Sequence, residues 1–220
     1  YQDSRFRVLR TKGTLPYIGP FPVTMPLSSL RAWWYQRKHP VDVIHSHNHM
    51  GFCHHLARKL WGGAGNSPFV LHLHITAAGR EAKTIEAGKP IDPVTYYYEW
   101  RLHKWADRIG CEIADAVLCV SDLVRAEAIQ FYAAPPEKLY VVPNGVNTRR
   151  FCPDGPNVRE RYGMAAQDTV ILYVGGLHER KNVRPLVEAL ALLPSSYKLL
   201  AVGAGSTGYV EALRASAKTL

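Results

Sequence analysis

Two textures alternate along this chain. Short runs rich in apolar and β-branched residues, FRVLRT (6–11), VDVIHSH (41–47), FVLHLHI (69–75), AVLCVS (116–121) and KLYVVP (138–143), read as strands. Between them, apolar residues recur at three- and four-residue spacing, as helices require. The predicted helices are SSLRAWWYQRK (28–38), FCHHLARKLW (52–61), closed by Gly62 and Gly63, and TYYYEWRLHKWADRIGCEIA (95–114). Ser121 stands as N-cap of a fourth, DLVRAEAIQFY. The segment 77–98 reads as an unusually long connection, placed to form part of a ligand wall. Strands without a polar face, separated by helices, predict a parallel sheet covered on both sides. Ligands are then expected at the carboxyl ends of the strands.

From Asn144 the chain becomes rich in Gly, Pro, Asn and Arg, and 144–168 reads as a linker. The alternation then restarts: TVILYVGG (169–176) and YKLLAVGAG (197–205) as strands, NVRPLVEALALLP (182–194) and GYVEALRASAKTL (208–220) as helices. The expected class is α/β: a Rossmann-like parallel-sheet domain over 1–143, missing its first elements, then the start of a second Rossmann-like domain over 169–220. Two strands with helices are too few for a stable domain, so the chain reads as truncated at both ends.

Composition narrows the classes. An apolar share of 47% against 20% charged is globular, not disordered. No apolar run is long enough to cross a bilayer, and YQDSRFRVLR lacks a signal-peptide core. The four cysteines, Cys53, Cys111, Cys119 and Cys152, show no CxxC spacing and read as reduced thiols of a cytoplasmic protein. The formal charge of +9 calls for an anionic partner. Its cations are scattered instead of blocked, so no nucleic-acid partner is expected. WWYQRK sets aromatics beside cations, and with Arg31, Arg37, Lys38, Arg58 and Lys59 it allows peripheral contact with an anionic membrane, at the inner face. The competing reading packs Trp33 and Trp34 on the domain's own sheet.

Candidate chemistry concentrates in two places. His45, His47, His49, His54, His55, His72 and His74 crowd two strand ends and the helix between them. Metal binding needs rings that converge. If the strand ends near His47, the rings of His45, His47 and His49 diverge, and His54 and His55 point about 100° apart on a helix. No metal is expected, and the imidazoles read as polar filling at a wet cleft. Elsewhere, VGGLHERKN and VGAGSTG are strand-to-helix turns ending in glycine, with Arg180 and Lys181 beside the first. Such turns suit an anion at a helix N-terminus, and they equally suit tight connections. Gly203 to Gly208 matches GxGxxG in spacing, which leaves a dinucleotide fold open. Neither a P-loop, a GxSxG elbow nor an Asp-x-Asp pair occurs.

The order VDVIHSH, FVLHLHIT, ADAVLCVSDLVRAEAI, KLYVVPNGVNTRRFCP, ILYVGGLHERKNVRPLVEAL, LLAVGAGSTGYVEALRA resembles the retaining glycosyltransferases of family 4, which have the GT-B fold. The resemblance runs from about Val41 to the end. It implies two Rossmann-like domains facing across a cleft, a nucleotide-sugar donor on the second and an unidentified sugar, lipid or small-molecule acceptor on the first. No cofactor is implied. It places Lys181 on the donor diphosphate and His74, as the catalytic-side residue, beside the transferred sugar. Gly175, Gly176, Arg180, Gly203 and Gly205 fall on the donor side, and His47 on the acceptor side.

Three departures accompany it. The family commonly has arginine where this chain has Gly176. Its glycine-rich loop after the first strand is missing, and its later pair of glutamates lies beyond Leu220. The chain alone is therefore expected to be inactive. Two other readings of the same scaffold stay open: an epimerase or phosphorylase, or a degenerate module that binds a nucleotide sugar without turnover.

Overall fold

The computed structural model describes residues 20–48, 52–62, 67–88 and 90–219. The strand expected over 6–11 lies outside them, as do His49 and Gly63. The chain divides into two compact units, 1–145 and 146–220.

In the first unit, α1 (Pro20–Lys38) begins eight residues earlier than its sequence pattern indicated. Pro20 and Pro22 sit in its first turn, where N–H groups have no intrahelical acceptor, so the prolines there cost little. There follow β1 (Ile44–His47), α2 (Phe52–Trp61) and β2 (Phe69–Leu73). Gly62, at φ +59°, terminates α2 as expected. Next come α3 (Ala77–Glu86), a π-helical stretch (Thr95–Arg101) leading into α4 (Leu102–Ile113), β3 (Ala116–Cys119), α5 (Asp122–Tyr132) and β4 (Leu139–Val141). Ser121 caps α5, its hydroxyl accepting from the Val124 N–H.

The four strands are parallel in the order β1-β2-β3-β4. Consecutive parallel strands joined by right-handed crossovers send every connecting helix to the same side. The core follows: Phe69, Leu71, Leu73, Val117, Cys119 and Leu139 point to that side, against Cys111, Val124, Ala128 and Tyr132 of α4 and α5. The opposite face carries His45, His47, Val70, His72, Leu118 and Tyr140, none of them buried. Among the described residues the sheet is therefore covered on one face only, which corrects the expectation of two covered faces. The Trp33 and Trp34 expectation also changes. Trp33 packs on Trp61 of α2 and donates its indole N–H to the Gly62 carbonyl, at 3.0 Å. Trp34 is 54% exposed, with the Lys38 ammonium 4.1 Å above its ring. No described helix is long and apolar enough to cross a membrane.

The largest departure is α3, which lies within the presumed long connection. Its first three N–H groups are all satisfied by side chains: Ala77 donates to Asp107, Ala78 to the Tyr132 hydroxyl and Gly79 to Thr76. The Thr76 hydroxyl in turn donates to Glu127, which also pairs with Lys83. Gly79 packs so closely on the Glu127 carboxylate that a methyl group there would overlap it. This places α3 on the helical side of the sheet, away from the histidines. Glu81 is partly buried and paired with Lys104, whereas Glu86 is exposed.

Asp107 is buried at 2% exposure, and burial pushes its carboxyl up to about 6, against the hydrogen bonds from Ala77 and Tyr132 that favour the ionised form. The native state thus holds this proton more tightly than the unfolded chain does. Its contribution is fully present below about pH 4 and is lost as pH rises through about 6, by up to about 3 kcal/mol. Asp107→Asn keeps an acceptor oxygen but cannot titrate. The difference in urea unfolding free energy between wild type and variant should therefore change across this window and be flat above it. A difference that is constant from about pH 4 to 7 would place the Asp107 titration outside the window.

The second unit contains β5 (Thr169–Val174), α6 (Val183–Leu190), β6 (Tyr197–Val202) and α7 (Thr207–Lys218), with β5 and β6 paired in parallel. Its core is small: Leu177, Val183, Val187 and Leu213, flanked by Tyr173, Leu199, Tyr209 and Val210. The stretch 144–168 is irregular apart from turns and a 3₁₀ turn over Glu160–Tyr162.

Candidate functional site

The first unit gathers its imidazoles at the carboxyl ends of β1 and β2. The register sets His47 directly opposite His72, and residues two apart share a face, so His45 and His74 join the same side. The rings of His45 and His72 stack with centroids 5.4 Å apart, those of His47 and His72 5.2 Å, and those of His72 and His74 4.4 Å. One usable nitrogen from each of His45, His47 and His72 lies within 4.8 Å of the others. The rings of His45, His47 and His72 converge because the strand runs to His47, as expected, and the neighbouring strand adds His72; the expected divergence involved His49, which lies outside the described residues. His54 and His55 stay out of this group. His54 is buried, and His55 faces Phe69 on the helical side of the sheet.

His74 is held from two directions. Its backbone N–H donates to the Asn48 side-chain oxygen at 2.9 Å, and its Nε2 shares one proton with Nδ1 of His47, 2.7 Å away. Asn48 sits at φ +49°, a left-handed conformation that asparagine tolerates well. Thr76, two residues on, is anchored through the α3 network, so the loop that presents His74 is fixed at both ends. Partial desolvation, reinforced by neighbouring imidazoles, holds His45 and His72 below the ordinary imidazole value. Two like charges on stacked rings are unfavourable, so these rings stay neutral in neutral solution. Burial pushes the Cys119 thiol up to about 11, which keeps it protonated and inert.

In the second unit the two glycine turns run side by side. Gly175 N–H donates to the Val202 carbonyl at 3.0 Å, and Leu177 N–H to the Ala204 carbonyl at 2.8 Å, so the pairing continues past the strands. A Cβ on Gly203 would overlap the Gly175 carbonyl oxygen, and one on Gly205 the Leu177 carbonyl oxygen. At these two positions glycine serves close approach of the turns. Gly176 differs: a Cβ there would meet only the His178 ring, at 2.8 Å. Arg180 and Lys181 lie on an exposed 3₁₀ turn (Glu179–Lys181), and among the described residues neither enters an ion pair. Two cations are thus presented beside a glycine turn with their charge uncompensated, an arrangement suited to a phosphate.

Sequence reasoning counted His45 and His72 among the seven imidazoles without giving them a role, and it missed Asn48 as the group that positions His74. The spacing of His45 and His47 carried half the signal. The strand register carried the rest, and it is not local.

Residues 2–150 match the Glycosyltransferase Family 4 profile. The chain belongs to that family. It is 30% identical over 172 residues to an alpha-maltose-1-phosphate synthase of Mycolicibacterium smegmatis, covering 75% of this chain and 41% of the relative. It is 32% identical over 155 residues to a D-inositol 3-phosphate glycosyltransferase of Thermobispora bispora, covering 69% and 33%. The chain therefore spans well under half the length of these relatives. Among solved structures, Anabaena Alr3699/HepE in complex with UDP superposes with a TM-score of 0.65 at 19% identity, over 87% of this chain and 48% of that one. The same protein with UDP and glucose gives 0.64 at 21% identity, over 91% and 50%. The fold is the α/β architecture of the GT-B glycosyltransferases, present here in part.

Proposed function

We propose that this chain serves a glycosyltransferase that moves a sugar from a nucleotide-sugar donor to an acceptor with retention of anomeric configuration. The observation that carries the reading is the pair of uncompensated cations, Arg180 and Lys181, beside a glycine turn, within a family whose relatives are named as glycosyltransferases. Negative charge grows on the departing diphosphate in the transition state, and a fixed ammonium there lowers the barrier without a metal at the diphosphate. Gly175 and Gly176 let the turn approach the donor, while Gly203 and Gly205 hold the neighbouring turn against it. His74, held by Asn48 and His47, would orient a hydroxyl of the transferred sugar, with His47 toward the acceptor. Two relatives are named for phosphorylated small molecules, so a phosphorylated sugar or polyol is the first acceptor to try.

The test uses the full-length protein with a UDP-sugar. Nucleoside diphosphate release that requires the acceptor, with a product of unchanged anomeric configuration by NMR, is the expected result. Release without acceptor would favour hydrolysis or epimerase-like chemistry instead. Binding without any release would favour a degenerate module.

A further inference from the structure

The histidine cluster does more than fill a wet edge. Three rings from two adjacent strands present nitrogens within 4.8 Å of one another, on a sheet face that no described helix covers. The decisive detail is His72. Both its ring nitrogens are closed off from solvent, and neither has a hydrogen-bond partner. A neutral imidazole carries one donor and one acceptor, and leaving both unsatisfied costs free energy that a folded protein ordinarily avoids. His47 is in the opposite condition: its Nδ1 is engaged by His74, which leaves Nε2 as its free ligand atom. That is the arrangement by which a second group fixes the tautomer and orientation of a metal-binding histidine.

We propose that His45, His47 and His72 form a binding site for one divalent late transition metal, Zn²⁺ foremost, with His74 orienting His47 from outside the coordination sphere. Imidazole-only ligation suits Zn²⁺, Cu²⁺ and Ni²⁺ and disfavours Mg²⁺ and Ca²⁺, which take oxygen ligands. Tetrahedral coordination at about 2.0–2.1 Å separates ligand nitrogens by roughly 3.3 Å, so the rings must close by about 1.5 Å at the widest pair. His45 and His47 are exposed side chains of β1, so closure calls on rotation of their side chains and not on a shift of the strand. Three imidazoles leave a fourth position open to water or to an oxygen ligand. The metal gives His72 the partner it lacks, and it locks His47, and through it His74, in one orientation. The site's test reads metal binding and not turnover.

Untagged full-length protein, stripped with chelator and dialysed, is titrated with Zn²⁺ by calorimetry and with Co²⁺ by visible absorption. One equivalent should bind, and Co²⁺ should give the intense visible bands of a tetrahedral site. His45→Ala and, because His72 is partly enclosed, the size-conserving His72→Gln should each weaken Zn²⁺ binding at least about tenfold. His39→Ala, a ring stacked on Tyr35 and remote in sequence, should bind as wild type does. Absence of stoichiometric binding overturns the site. So does wild-type affinity in both the His45 and His72 variants, since the metal would then sit elsewhere. Circular dichroism of each variant distinguishes loss of ligands from loss of fold.

Discussion

Replacing Gly203 with alanine should unfold the second unit and leave the first intact. The added methyl would overlap the Gly175 carbonyl oxygen and lie 2.9 Å from its carbonyl carbon. Both are backbone atoms, so no side-chain rotation relieves the clash, and the two turns must separate. Separation breaks the Gly175–Val202 and Leu177–Ala204 hydrogen bonds and the bridge between Leu177 and Gly205. It also withdraws Leu177 from a core whose other buried members are Val183, Val187 and Leu213. Overpacking costs about 1–3 kcal/mol where side chains can yield, and a clash between main chains belongs at or above that range. A unit with so few buried residues has little reserve to absorb it. Limited proteolysis should cut the variant within 146–220 while the sheet and helices of 67–88 and 90–145 stay protected. Gly208→Ala is the control: nothing lies within 4 Å of its added methyl, and in the first helical turn alanine should be neutral or slightly stabilising. Wild-type resistance in Gly203→Ala would mean that the turns do not touch.

The same glycines show how far local pattern reaches. Apolar runs located β2 to β6 to within a few residues, because short apolar, β-branched runs bounded by turn residues announce strands by composition. Ser121 announced α5 by the same kind of local chemistry. By contrast, α3 was hidden. Its cap, Thr76, follows the histidine strand directly, and Gly79 within it reads as a loop signal. Only the long-range contact with Glu127, 48 positions later in the chain, shows why glycine stands there. Gly203 and Gly205 are alike in this respect. A glycine-rich turn has one sequence signature whether it receives a phosphate or another turn, and only three-dimensional adjacency tells the two apart. The histidines fall between these cases. Spacing put His45 and His47 on one face, but the pairing of His47 with His72 is a matter of register.

Lys181→Ala should lower sugar transfer by about 10²–10³-fold while leaving the fold unaffected. Lys181 is exposed on a 3₁₀ turn and makes no described ion pair, so its truncation should stay within about 0.5 kcal/mol of wild-type stability. Loss of rate then reports function directly. If the ammonium meets charge that grows as the diphosphate leaves, kcat falls more than donor affinity does, because only interactions strengthened in the transition state accelerate chemistry. The chain also supplies its own rescue. The family resemblance places arginine at position 176, and the structure has room for it: Gly176 has no positive φ, and its Cβ would meet only the exposed His178 ring, at 2.8 Å. Gly176→Arg in the Lys181→Ala background should recover part of the lost rate, since a guanidinium two-pronged on phosphate supplies the missing charge. An equal fall in rate and donor affinity would make Lys181 a ground-state anchor. No fall at all would move the diphosphate away from this turn, and the proposed donor site with it.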